Sequence, residues 1–388
     1  MALDNSGTLC DRFEAARSIL DMVISRRRRV GRSYQGFIKA LMKCTDSLLP
    51  AIQDHLRKAV KRIAGDHWTR FGWVIFAADG SKIDCVRSEA NESFFGIAGR
   101  TKSAPQQLLT TLWHMGTGLP WAWVTGRADD AERNHLRKMI DLLPAACLLV
   151  ADAGFTGFDL LRQLQNANVF FLIRVGANVT LLRKLGYRVV ERGNTVYLWP
   201  KKRRSDNPFV LRLICVQPAG GKKPIFLITN VLDHDKLSDE TAAAIYQMRW
   251  GVEVFFRSLK QTLQRRKMRS AAPRQAALEL HWSIVGLLLL GLLSVEAIIS
   301  RGKDPLNLSV ALALRVIRRA MAKPPAYRTL MRRLAAAVTD TYTRHRPKKA
   351  RNWAHKKNDP PPGAPKLRIA DEKEVRQAQH LRSQQEAA

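Results

Sequence analysis

Acidic residues are the scarce class in this chain. Only 33 Asp and Glu stand against 65 Lys and Arg in 388 residues, which leaves a formal net charge of +32. This imbalance makes a polyanion the first suspect as partner. The charge is spread along the chain instead of sitting in one amphipathic segment, so nucleic acid fits better than a membrane surface. Cysteine is also sparse. Five residues, Cys10, Cys44, Cys85, Cys147 and Cys215, form no C-x-x-C pair and are odd in number, which indicates neither a disulfide framework nor a cysteine zinc site and suits a reducing, cytoplasmic setting. The N-terminus lacks the charged-then-apolar run of a secretion signal. Long hydrophobic runs are missing except for one, "WSIVGLLLLGLLSVEAII" at 282–299, which just reaches membrane-spanning length. It carries Glu296, Ser283, Ser294 and two glycines and reads as a buried core helix.

What is present is the composition of a globular protein, 46% hydrophobic and 25% charged, long enough for more than one structural unit. Residues 1–70 have helical patterning with 14 Lys and Arg against 7 Asp and Glu, and the basic cluster of "SRRRRVGRSYQGF" runs into Tyr34 and Phe37. This reads as a basic helical DNA-binding region gripping phosphates, or as a solvated charge run. From Trp73 the texture changes. "WVIFAADGSKID", "PQQLLTTLWHMG" and "LPWAWVTG" predict three meandering strands. Helix, strand ("ACLLVADAGF"), helix and strand ("VFFLIRVG") follow, so 71–175 reads as a mixed sheet with packed helices. Residues 176–237 are short β-like runs broken by Gly, Asn and Pro, predicting an inserted β-rich subdomain. Helices resume at the "SDE" cap near Ser238 and continue to 343. The stretch 344–388 is basic and proline-rich and predicts a disordered tail.

The chemistry gathers on three acids. Asp79 ends the first predicted strand and Asp152 the fourth, and strand ends of such sheets are where side chains emerge from a fixed backbone. If those strands are neighbours, the two carboxylates converge. Each Asp alone also suits a turn or cap. The third acid lies in "YQMRWGVEVFFRSLKQTL" at 246–263. Drawn as one α-helix, Tyr246, Arg249, Glu253 and Lys260 fall on a face about 60° wide beside an apolar stripe of Met248, Val252, Phe255, Phe256, Leu259 and Leu263. A plain amphipathic helix with i,i+4 charge pairs is the competing reading. Three carboxylates in so basic a protein suggest a metal, since bare carboxylates repel phosphate. A set without His or Cys suits Mg²⁺, bound as two ions, with Mn²⁺ as a substitute. Such a pair serves in-line displacement at phosphorus, with Arg249 and Lys260 holding the DNA backbone. His114 and His135 lack metal-ligand spacing and read as structural.

The pattern Y-x(2)-R-x(3)-E-x(6)-K, preceded by "ADGS" and "ADAGF", resembles the signature of the type-four insertion-sequence transposases, bacterial DDE enzymes that cut and paste DNA. The resemblance runs from about Trp73 to Leu293 and implies a ribonuclease H-like core with a β-rich insertion. It implies that Asp79, Asp152 and Glu253 are the metal-binding catalytic triad and that Tyr246, Arg249 and Lys260 contact transposon-end phosphates. It further implies double-stranded DNA as partner, both transposon ends and target, a homodimer on paired ends, cutting through a hairpin, and end recognition by the first 70 residues. Trp199, in the insertion, matches a position where relatives stack a flipped base, while a core tryptophan is the competing reading. Two other functions stay open: a ribonuclease H-like nuclease without strand transfer, and a catalytically decayed DNA-binding protein.

Overall fold

The computed structural model describes residues 1–24, 31–97, 104–179, 181, 186–190, 194–200, 202, 204–217, 224–339 and 363–386. It divides into two compact units, Met1–Leu142 with Met248–Thr339, and Leu143–Gln247 with Asp340–Ala388.

The first unit opens on two helices, α1 (Leu9–Val23) and α2 (Tyr34–Ala64). Each starts at a hydroxyl cap: Thr8 Oγ1 accepts from the Asp11 amide and Ser33 Oγ from the Gly36 amide. Tyr34 and Phe37 pack on Phe13, with centroids 6.1 and 5.2 Å away, so these rings hold the two helices together. The basic cluster preceding them lies outside the described residues. Next come β1 (Ile75–Cys85), α3 (Glu89–Phe95), β2 (Gln106–His114), β3 (Leu119–Arg127) and α4 (Glu132–Arg137). The strands β1, β2 and β3 form the antiparallel meander that the sequence predicts.

The stretch 246–263, drawn above as one α-helix, is three pieces. Helix α6 (Asp239–Met248) ends before Arg249, α7 (Trp250–Arg257) follows, and Ser258–Thr262 is a π-turn closed by the Leu263 amide on the Ser258 carbonyl. Gln264, at φ 56°, then reverses the chain into β10 (Lys267–Met268), parallel to β1 at Asp84 and Cys85. Helices α8 (Pro273–Ile299), α9 (Val310–Ala322) and α10 (Tyr327–Ala335) complete the unit. Among the described residues α8 alone is long and apolar enough to cross a membrane, and most of that apolar window is buried inside the protein. It packs on α2, α10 and β3, and apolar residues around nearly its whole circumference suit a core position.

His114 is fully buried, stacked on Trp68 at 4.6 Å, with Nδ1 on Thr117 Oγ1 and Nε2 on the Trp68 carbonyl. His135 is buried beside Thr110 Oγ1 at 2.9 Å. Both are packing residues. Burial lowers His114 and His281 to about 4. A base whose folded value lies below its unfolded one stabilises the fold fully above the unfolded value, and the contribution is lost as pH falls toward the folded value. Urea unfolding at pH 7 and pH 5 is therefore expected to show that His114→Gln loses about 2 kcal/mol less than the parent over that interval. Equal losses in the two proteins would contradict a neutral, buried His114.

In the second unit β4 (Leu148–Ala151), α5 (Phe158–Asn166) and β5 (Phe170–Val175) form the predicted crossover with β4 and β5 parallel. Helix α6 begins after Ser238, whose Oγ accepts from the Thr241 amide, the cap read from the sequence. Strands β6 (Gly186–Val190), β7 (Asn194–Leu198), β8 (Phe209–Val216) and β9 (Ile225–Thr229) occupy the β-rich stretch. β9 pairs antiparallel with β5, β8 with β9, β7 with β8 and β6 with β7, so the β-rich stretch extends the ladder of β5. Hydrogen-bonding continuity is the physical reason, since β5 offers β9 an open edge.

The tail expected to be disordered is partly structured. Strand β11 (Arg368–Ile369) pairs parallel with β6, and α11 (Glu372–Glu386) buries Ala378 against Tyr197 and Trp199. Val375, Ala378 and Leu381 recur every third residue, a short apolar stripe that the surrounding charge obscures. Trp199 is 1% exposed, donates from Nε1 to the Asp206 carbonyl and lies under the Arg204 guanidinium, 4.5 Å from its centroid. In this structure it is a core tryptophan.

Candidate active site

Strand alternation sends Asp79 and Ser81 of β1 to one face and Gly80 to the other. On the far face the missing side chain matters, because a Cβ at Gly80 would lie 2.1 Å from Oε1 of Glu132 on α4. Only glycine lets that carboxylate cross the strand. On the near face Asp79 Oδ1 accepts from the Gly80 amide at 2.9 Å, which orients the carboxylate.

Helix α7 reaches this face through a second close approach. A Cβ at Gly251 would lie 2.1 Å from Cη2 of Trp113, a residue of β2 next to β1. Glycine there lets the helix backbone press on the indole, while Val252, Phe255 and Phe256 are buried. The result is a three-group centre. Arg249 sets Nη2 3.0 Å from Glu253 Oε1 and Nη1 3.6 Å from Asp79 Oδ2. One guanidinium thus draws together two carboxylates 174 residues apart in the chain, from a strand and a helix. The side chains of Arg249 and Asp79 are 14% exposed and Glu253 is 34% exposed, so the centre is open on the Glu253 side.

Lys260, on the π-turn, donates from Nζ to Ser81 Oγ at 2.8 Å. Burial lowers its ammonium from the usual lysine value, and Arg266 adds to that while Asp84 opposes it. Asp79 and Ser81 on β1 therefore each receive one cation from the α7 and π-turn segment. The sequence reading missed Ser81, although its two-residue offset from Asp79 carried the signal.

The other two candidates lie in the second unit. Asp152 caps the short turn Ala153–Phe155, with Oδ1 accepting from the Gly154 amide at 2.8 Å. Tyr246 sits in α6 and is 9% exposed. Among the described residues no group of three or more His, Cys, Asp or Glu stands close enough to hold a metal ion. What the first unit does assemble is a pair of hard-oxygen carboxylates already gathered about a positive charge. That donor chemistry fits Mg²⁺, which takes one or two carboxylates and fills its remaining positions with phosphate and water.

Residues 72–289 match the family described as "Transposase DDE domain", and the chain belongs to that family. It is 25% identical over 230 residues to the transposase InsG for insertion sequence element IS4 of Escherichia coli (strain K12), covering 56% of this chain and 51% of that protein. It is also 32% identical over 129 residues to a probable transposase for insertion sequence element IS5377 of Geobacillus stearothermophilus, covering 31% of this chain and 33% of that one. The chain thus matches about half the length of the first relative and a third of the second. Among solved structures, a cryo-EM piggyBac transposase synaptic complex with hairpin DNA aligns at a TM-score of 0.41 and 13% identity, over 88% of this chain and 74% of that chain.

Proposed function

We propose that this protein is a DNA transposase that cuts transposon ends in a divalent-metal-dependent reaction and joins them to target DNA, on a ribonuclease H-like catalytic core. The observation that carries the reading is Asp79 and Glu253 held on one guanidinium, within a chain of the transposase DDE family. Asp152 is the third acid of the reading, in the second of two ordered Asp motifs. The net charge of +32 and the two related insertion-sequence transposases support double-stranded DNA as substrate, and two copies acting on paired ends belong to the same reading.

Asp79, Glu253 and Asp152 would hold the metal, with Mg²⁺ as the natural ion and Mn²⁺ as a substitute. When bound, paired divalent ions activate the attacking oxygen and stabilise the leaving oxygen at phosphorus. The chain's own cations do the rest. Arg249, whose two Nη atoms meet Glu253 and Asp79, would turn its fork to a phosphate oxygen pair once a divalent ion takes over those carboxylates, and Lys260, held by Ser81, presents a point charge. Tyr246 is assigned a contact with the end phosphates. End recognition by the first 70 residues rests on their charge and position.

The deciding experiment incubates the protein with a duplex carrying its element's end, in Mg²⁺ or in EDTA. Metal-dependent nicking together with joined products is the expected result. Nicking without joining would replace the transposase by a nuclease, and salt-sensitive retention without cutting would leave a DNA-binding protein.

A further inference from the structure

The catalytic reading leaves unused one strongly charged surface of the first unit. Helices α9 and α10 form a hairpin through Lys323–Ala326, and between Pro305 and Thr339 the chain carries seven Arg and Lys and no Asp or Glu. Elsewhere several exposed helices pair at least one of their cations locally. On α1 Arg17 meets Glu14 at 2.7 Å and Asp21 at 3.5 Å. On α2 Lys58 meets Asp54 at 2.7 Å, and on α11 Arg376 meets Glu372 at 2.9 Å. On the hairpin, among the described residues, no carboxylate lies within ion-pair distance of Arg315, Arg319, Lys323, Arg328, Arg332 or Arg333. Arg318 alone turns inward, donating to the Leu3 carbonyl at 2.7 Å.

Arg315 and Arg319 stand one helical turn apart and repel each other without an anion between them. They line a cleft of about 450 Å³ that Thr262 of the π-turn also lines. The apolar residues Leu314, Ile317 and Leu334 are buried, so the hairpin turns its cations outward and keeps its main apolar stripe for the core. A membrane would need that stripe exposed. Rows of uncompensated, solvent-facing guanidinium groups on rigid helices suit the regularly spaced phosphates of a duplex.

We propose that the α9–α10 hairpin is a second grip on duplex DNA, with Arg315 and Arg319 taking backbone phosphates on the Thr262 side of the π-turn. The inference rests on the transposase reading for its partner, and it adds a contact surface which that reading does not contain. The phosphates belong either to the element's own end or to target DNA, which share this chemistry.

The test uses full-length protein in EDTA, so that no strand is cut, with the Arg315→Ala/Arg319→Ala double variant. Fluorescence anisotropy follows binding to two duplexes of about 40 base pairs, one carrying the element's end and one unrelated, between about 0.05 and 0.3 M salt. The double variant is expected to bind about tenfold more weakly near physiological salt and to lose nearly two units of salt slope. A loss confined to the element's end assigns the hairpin to that end, and a loss on both duplexes assigns it to target or any DNA. Arg315→Lys/Arg319→Lys should keep the slope. Affinity and slope unchanged on both duplexes would overturn the proposal, as would a lysine pair as damaged as the alanine pair. Because binding is read without metal, a parent protein that binds but never cuts counts against the transposase reading and leaves this result interpretable.

Discussion

Glu253→Gln is expected to drop metal-dependent cutting of an end duplex by about 10³-fold or more, while its retention of that duplex in EDTA stays within about twofold of the parent. The substitution keeps the shape and the helix face and removes only the negative charge. Glu253 Oε1 lies 3.0 Å from Arg249 Nη2, so the amide can still accept from the guanidinium and the fold loses little. What disappears is half of the anionic pair that a divalent ion would neutralise. Gel-shift and cleavage assays on the same preparation separate the two readouts. If Glu253→Gln cut at the parent's rate, the assignment of this carboxylate to the catalytic centre would be wrong.

Gly251→Ala is expected to have nearly as large an effect through geometry alone. The added methyl would start 2.1 Å from Cη2 and 2.7 Å from Cζ3 of Trp113, and neither a strand-borne indole nor a helix backbone gives way cheaply. Overpacking of this kind costs about 1–3 kcal/mol in stability. It also pushes α7 away from β1, taking Arg249 and Glu253 with it, and a shift of about 1 Å at a catalytic group can cost about 10²-fold in rate. A smaller ring makes room, so Trp113→Phe combined with Gly251→Ala should recover part of both the melting temperature and the cutting rate. A single Gly251→Ala variant with parental stability and activity would show that α7 is not seated by this contact.

These two substitutions mark where the sequence is legible and where it is not. Glu253 and Arg249 were readable because helical periodicity put them one turn apart, and Asp79 because a carboxylate in "ADGS" follows an apolar run, although β1 continues through it to Cys85 and Asp79 lies in mid-strand opposite Thr111, not at a strand end. The link between Asp79 and Glu253 through one guanidinium depends on α7 crossing β1, and no local pattern encodes that crossing. The same holds for Gly80 and Gly251. Each reads as a flexible residue in sequence and proves to be the place where Glu132 or Trp113 needs room. The three pieces of 246–263 escaped periodicity because a π-turn adds one residue to a turn without altering the apolar stripe around it. The structured tail escaped it because Val375, Ala378 and Leu381 are thin signals inside a polar, basic composition. Helix α8, by contrast, was legible as a protein helix because Glu296 and its serines sit poorly in lipid: Ser283 and Ser294 are buried in the core and Glu296 faces solvent.

The pairing of β11 with β6 has a consequence for the chemistry of the backbone rather than of any side chain. A β-ladder running outward from β5 through β9, β8, β7 and β6 has a last strand whose amides and carbonyls point toward whatever comes next. Arg368 and Ile369 lie there, in register with Tyr187 and Arg188. A two-residue clasp from the chain's own far end thus stands guard over an otherwise adhesive rim, and a rim of that kind, once bare, invites extended strangers to join it.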